Sequence, residues 1–200
     1  GERIPGVAIE YADLHSILDA FAHYFHNGQI TYEAFVDGVA YGGREYVEHP
    51  EAFGVPERNV AYVQSTRKPV DDIIAFLSEH EEELDSLDIV AADTALYQKI
   101  EEQIPLVTKS VYTTSAVSYR LEISHKNSGK ATGLAYVLKL LDITPEETVA
   151  FGDGDNDAEM LEFAGLGVAM ENATENCKAA ADIVCDCCKN DGVARFLYGF

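Results

Sequence analysis

The chain has 200 residues and sets 14 lysines and arginines against 35 aspartates and glutamates, a formal charge of −21. Such a surface repels the phosphates of nucleic acids and anionic lipids, which excludes unaided binding to either as a working function. With 47% hydrophobic and 10% aromatic residues the chain is too apolar for disorder, and its length allows one large domain or two small ones.

The longest apolar run falls well short of the ~20 residues that span a bilayer. No basic stretch followed by an apolar one marks a secretory leader. The chain opens on Gly1 rather than Met, which suggests a piece of a longer protein. Cys177, Cys185, Cys187 and Cys188 all lie within the last 24 residues. A disulfide scaffold would spread its pairs, and C-x-C-C lacks the spacing of a zinc site, so the expectation is reduced thiols and a cytoplasmic protein.

In chain order, apolar residues from Ile9 to Phe25 recur at three- and four-residue intervals, predicting an amphipathic helix from Tyr11 to His26 that Asn27-Gly28 stops. Two alternating runs joined by Asp37-Gly38 predict a β-hairpin over residues 30–43. Residues 60–65 (VAYVQS) read as a strand and residues 70–84 as a helix, whose acidic run Glu79–Glu83 is a solvated face. Residues 89–92 and 117–123 read as strands, with a short helix over 96–103 between them.

Beyond residue 118 the pattern changes. Residues 130–142 form a helix with Leu134, Val137, Leu138 and Leu141 on one face. Thr144-Pro145-Glu146-Glu147 is a capping box with Pro at the first helical position. Short apolar runs at 148–152, 166–170 and 183–185 alternate with helices over 157–164, 174–181 and 191–197. Strands and helices alternating in this way predict βαβ units in a parallel sheet. The expected organisation is therefore an α+β domain over residues 1–118 and an α/β domain with a Rossmann-like parallel sheet over 119–200.

The segment Gly152-Asp153-Gly154-Asp155-Asn156-Asp157 follows one of the predicted parallel strands and leads into a helix. Ligands of open α/β sheets bind beyond the carboxyl ends of the strands, and clustered hard oxygen donors suit Mg²⁺. A calcium loop would need Gly at the sixth position and Glu at the twelfth, where Ala158 and Ala164 stand, so that reading fails. A purely structural turn, with Asn156 or Asp157 capping the helix, remains the alternative. Lys130 opens a helix, where a cation opposes the dipole unless an anion binds there; Lys126 competes for that role.

The segments NSGKATGL (127–134), VAFGDGDNDAEML (149–161), AGLGVAMENA (164–173), KAAAD (178–182) and DGVA (191–194) together resemble the haloacid dehalogenase-like phosphatases, most closely the Cof-type branch with a large α/β cap. The resemblance covers about residues 119–200 in detail, and residues 7–118 only in the size and element pattern of the cap. It implies a Mg²⁺-dependent phosphohydrolase of small phosphorylated metabolites that works through an aspartyl-phosphate. Lys130 would contact the nucleophile and the phosphoryl oxygens, and Asp153 would coordinate Mg²⁺. Asp157 would support the metal through its water shell, with Asn156 close to the phosphoryl group.

The family's nucleophile lies in an Asp-x-Asp-Gly-Thr motif on its first strand. That motif is missing from these 200 residues, where Asp37-Gly38 is a hairpin turn. The chain alone is therefore expected to be inactive, with a parallel sheet short of its central strand. The alternative is a non-catalytic metal- or ligand-binding protein derived from such a phosphatase. Sugar phosphates, nucleotides and pyridoxal phosphate all remain possible substrates. His23, His26, His49 and Arg44 read as solvated surface, and Asn172-Ala173-Thr174 as a loop with a helix N-cap. No sequence signal reports the oligomeric state.

Overall fold

A computed structural model describes residues 7–199. The chain divides between Lys126 and Asn127 into two compact units.

The first unit begins with α1 (Tyr11–His26), which turns its apolar face inward through Leu14, Ile17, Phe21 and Tyr24. Gly28, at a φ of 68°, supplies the left-handed residue that lets the chain reverse after the helix. β1 (Ile30–Val36) and β2 (Val39–Gly43) form the hairpin, with Val36 opposite Val39. Asp37 and Gly38 both take positive φ, as a two-residue turn matched to strand twist requires. Then come α2 (Arg44–Glu48), α3 (Glu57–Thr66), β3 (Arg67–Val70), α4 (Ile73–Glu79), β4 (Leu84–Ala91), α5 (Thr94–Val107), β5 (Val111–Val117) and β6 (Arg120–His125). The sheet runs β3-β2-β1-β4-β6-β5, antiparallel except for the β2–β3 pair. One sheet face packs Tyr32, Ala34, Leu87, Ile89, Leu121 and Ile123 with apolar residues of α1, α4 and α5 in the main core.

Three expectations need correction here. Residues 60–65 are helical, not a strand: Val60 and Val63, three apart, turn toward Tyr46 and Val47 while Tyr62 is exposed. Helical spacing was present, but its β-branched and aromatic composition masked it. Residues 70–84 are not one helix. Pro69 sits in β3, and Asp72 starts α4 by accepting hydrogen bonds from the Ile74 and Ala75 amides. The chain then turns through the acidic run before Leu84 opens β4. Residues 117–123 are not one strand but the two sides of a hairpin, with Ser118 and Tyr119 at its tip. Because β6 pairs with both β4 and β5, the first unit runs on to Lys126, eight residues past the expected division.

The second unit contains α6 (Lys130–Leu141), β7 (Val149–Gly152), α7 (Ala158–Phe163), β8 (Leu166–Met170), α8 (Glu175–Ala180), β9 (Ile183–Cys185) and α9 (Gly192–Tyr198). The Thr144 capping box forms, with the Glu147 carboxylate accepting from the Thr144 amide. β7, β8 and β9 make a three-stranded parallel sheet in that order, as the alternation predicts. Its core is built from small residues, Ala150, Ala169, Ala173 and Cys177, around Leu161, Val168 and Met170. Among the described residues no helix is long and apolar enough to cross a membrane.

Candidate active site

The carboxyl ends of β7, β8 and β9 lead into three loops that share hydrogen bonds. The first loop follows Gly152. An added Cβ there would meet the Asp157 Cβ at 2.4 Å, so the strand must end on glycine to admit the Asp157 side chain. The chain then makes a 3₁₀ turn over Asp155–Asp157 before α7.

Asp157 is 4% exposed, and both its carboxylate oxygens are engaged. Oδ2 accepts hydrogen bonds from the Asp153 amide at 2.9 Å and the Gly154 amide at 3.0 Å. Oδ1 takes an ion pair from Lys130 Nζ, which also lies 3.4 Å from Asn156 Oδ1. Burial pushes the Asp157 carboxyl up; the bonds from Lys130 and the two amides outweigh it and hold the group below the usual carboxylate range. Asp157 stands at the N-cap position of α7, as the structural reading expected, but its side chain makes no capping bond to that helix and instead accepts from the Gly154 amide of the preceding 3₁₀ turn. Its carboxylate reaches back and fixes the loop that carries Asp153.

The structure thus brings together all four residues singled out from the sequence. Lys130 enters from the first turn of α6, Asp153 stands exposed at the end of β7, and Asn156 and Asp157 sit on the 3₁₀ turn. Lys130 bonds this loop through its ammonium; Lys126 is the last residue of the first unit, its backbone amide bonded to the Ser110 carbonyl.

Sequence reasoning left out the residues that brace the loop from the side. Thr174 donates its hydroxyl to Asp155 Oδ1 at 2.5 Å, and its amide bonds the Asp153 carbonyl at 3.0 Å. The same hydroxyl oxygen accepts from the Cys177 amide and caps α8, the part the sequence did foresee. Asn172 reaches Asp153 Oδ2 with its side-chain amide at 3.4 Å. The available signal was the Asn-x-Thr spacing after a buried parallel strand, which places both side chains beside the neighbouring loop.

The donor set is chemically suited to a hard divalent cation. Asp153 offers an exposed carboxylate with one long hydrogen bond, and Asp155 and Asn156 add oxygen atoms on the same turn. The four cysteines are free thiols. Glu171, Asp186 and Cys187 bring ligand-type atoms within 4.8 Å of one another. Asp186 is already held there by Asn190, the Cys187 amide and Arg195.

The chain is similar to several known proteins. A phosphoglycolate phosphatase of Methanopyrus kandleri is 50% identical over 80 residues, 40% of this chain and 34% of that protein. The 5-amino-6-(5-phospho-D-ribitylamino)uracil phosphatase YitU of Bacillus subtilis is 46% identical over 77 residues, 38% of this chain and 28% of that one. These matches therefore span about a third of each curated relative. BT1666 of Bacteroides thetaiotaomicron, a solved phosphatase of the haloalkanoate superfamily, superposes with a TM-score of 0.74 at 25% identity, over 100% of this chain and 68% of its own. The haloacid dehalogenase-like hydrolase family matches over residues 7–197, across both units, and it is to this family that the chain belongs.

Proposed function

We propose that the second unit carries the phosphoryl- and Mg²⁺-binding half of a phosphohydrolase for small phosphorylated metabolites, and that the first unit is the cap that selects among them. The observation that carries this reading is the Lys130–Asp157–Asp153 arrangement. One buried carboxylate holds both a half-exposed ammonium and the backbone of an exposed acidic residue. Phosphoryl transfer demands positioning and charge neutralisation more than covalent help.

In the proposed reaction one aspartate of the Asp-x-Asp-Gly-Thr motif attacks phosphorus, the ester P–O bond breaks, and the other, as general acid, gives its proton to the departing alkoxide. Water then hydrolyses the aspartyl-phosphate to inorganic phosphate. Lys130 pairs with the phosphoryl oxygens as negative charge gathers on them, and Asn156 orients the group beside it. Asp153 is the carboxylate that would hold Mg²⁺. Asp157 acts by keeping the Asp153 backbone and the Lys130 ammonium in place. When bound, Mg²⁺ would neutralise charge on the transferring group.

The nucleophile of this chemistry belongs to an Asp-x-Asp-Gly-Thr motif that does not occur in the 200 residues. These residues by themselves are therefore expected to bind without turnover, which is the specific support for the binding-protein reading. The test is hydrolysis of a generic phosphate ester by a protein that joins this chain to such a nucleophile segment. Turnover should require Mg²⁺, and Asp153→Ala should abolish it. Near-normal activity of that variant sinks the metal assignment, and turnover by the unaided 200 residues sinks the need for the missing motif.

A further inference from the structure

The side chain of Asn172 lies between two loops and is fixed from both sides. Its Oδ1 accepts a hydrogen bond from the Cys188 backbone amide at 3.2 Å, in the loop after β9. Its Nδ2 donates to Asp153 Oδ2 at 3.4 Å, in the loop after β7. A backbone N–H can only donate, so it must face the amide oxygen of Asn172. That sets the flip of the side chain and leaves only the NH₂ group to face Asp153. The 3.4 Å contact is longer than an ordinary N–H···O bond, so it steers the carboxylate without saturating its lone pairs.

We propose that Asn172 is a positioning residue for the cation-binding carboxylate, and that the Cys188 amide sets its orientation; this rests on the reading of Asp153 given under Proposed function. Outer partners that orient a ligating carboxylate change metal affinity without touching the metal. The device links all three parallel strands. Asp153 follows β7, Asn172 follows β8, and the orienting amide follows β9. Thr174, two residues on, bonds the Asp153 carbonyl, so backbone and side chain of the same residue are held by one loop.

Proline at position 188 separates this role from general packing. It would delete the N–H that holds Asn172 and change nothing on Asn172 or Asp153. The backbone admits it: Cys188 opens a 3₁₀ turn, where proline is favoured, and Cys187 is already extended at a φ of −70° and a ψ of 163°. Cys188→Ala keeps the N–H and removes the same thiol, which makes it the control.

The experiment is Mn²⁺ affinity of the 200-residue chain by EPR titration, with urea unfolding of every variant alongside. Asp153→Ala should abolish binding. Asn172→Ala should weaken it roughly 10- to 100-fold and Cys188→Pro roughly tenfold, magnitudes typical of outer-partner loss. Cys188→Ala should bind as wild type, and the unfolding midpoints should stay together. Wild-type affinity in both Asn172→Ala and Cys188→Pro overturns the role of Asn172 and leaves the Asp153 assignment standing. A lowered midpoint with unchanged affinity reduces Asn172 to a structural residue and overturns it too. Unchanged binding by Asp153→Ala, or no binding by wild type, overturns the cation site itself and this inference with it.

Discussion

The two units place their polar side chains in opposite ways. In the first, Glu33 on β1 is fully buried and takes a two-pronged bond from Arg67, with Nε to Oε1 at 2.9 Å and Nη2 to Oε2 at 2.8 Å. The Tyr46 hydroxyl adds a third bond at 2.5 Å. Arg120 lies 3.2 Å from the equally buried Asp88 and 3.0 Å from Glu122. Glu33, Arg67 and Tyr46 satisfy one another, whereas Arg120 faces Asp88 as an ion pair whose buried Nε makes no hydrogen bond. In the second unit the acidic residues gather at the strand ends, and Asp153 and Asp155 remain exposed. The apolar residues differ as well. The first unit buries Tyr32, Phe21 and Leu87, whereas the second exposes Leu140, Leu141, Ile183, Val184 and Leu197 over a core of small side chains. Buried, mutually paired charge contributes to a unique packing; exposed charge on a braced loop is available for a ligand.

The largest effect should come from breaking the closed network. Arg67→Ala takes the two-pronged partner from buried Glu33 and leaves it the Tyr46 hydroxyl and Arg120 at 3.8 Å, a loss of about 3–5 kcal/mol. Urea unfolding reads it as an early transition of the first unit. A shift under 1 kcal/mol would mean that water reaches Glu33 and that the two units hold their charges in more similar surroundings.

Lys130→Ala should behave in the opposite manner. In a turnover-competent protein, losing one charge-stabilising donor should lower kcat by about 10²–10³. The unfolding midpoint should fall by less than in Arg67→Ala, because the Lys130 ammonium is half exposed and buried Asp157 keeps its two backbone amide bonds. A comparable loss of stability would make Lys130 a structural residue.

A smaller effect separates the units by pH. Burial pushes the Asp88 carboxyl well above its ordinary range, against the pull of Arg120. The folded state then holds this proton more tightly than the unfolded chain does. Its contribution is complete below the unfolded value and is lost as pH rises through the folded one. Wild type should therefore gain stability over Asp88→Asn on acidification across that window, measured by urea unfolding at stepped pH. A gain on raising the pH would show that the Arg120 attraction wins. The smallest effect belongs to the exposed face of α6, where Leu140→Gln should stay within about 0.5 kcal/mol of wild type. A larger loss would reveal that this face is covered.

The sequence was more informative about the second unit than about the first, for physical reasons. The βαβ alternation is local: each short apolar run and each helix start at Thr144 or Thr174 can be read within a few residues. The site residues follow the same logic, since Asp153, Asn156 and Asp157 lie within one turn. The first unit depends on contacts far apart in sequence. Residues 60–65 are helical because two valines meet Tyr46 and Val47, and β6 belongs to the first sheet because it finds β4, some thirty residues earlier. The roles of Asn172 and Thr174 were hidden in the same way, since each acts on a residue 19 positions upstream.

The half-exposed ammonium of Lys130 has a kinetic consequence. It stands in a chain whose formal charge is −21, so an anionic substrate is repelled at long range and attracted only within the last few ångströms. Salt screens the distant repulsion over a Debye length of ~8–10 Å and acts much less on a contact pair. Raising ionic strength from low values should then speed the encounter with a phosphorylated substrate. Enzymes that draw anions in with a positive surface show the reverse; under the proposed function this site would take its ligand at close range after an uphill approach.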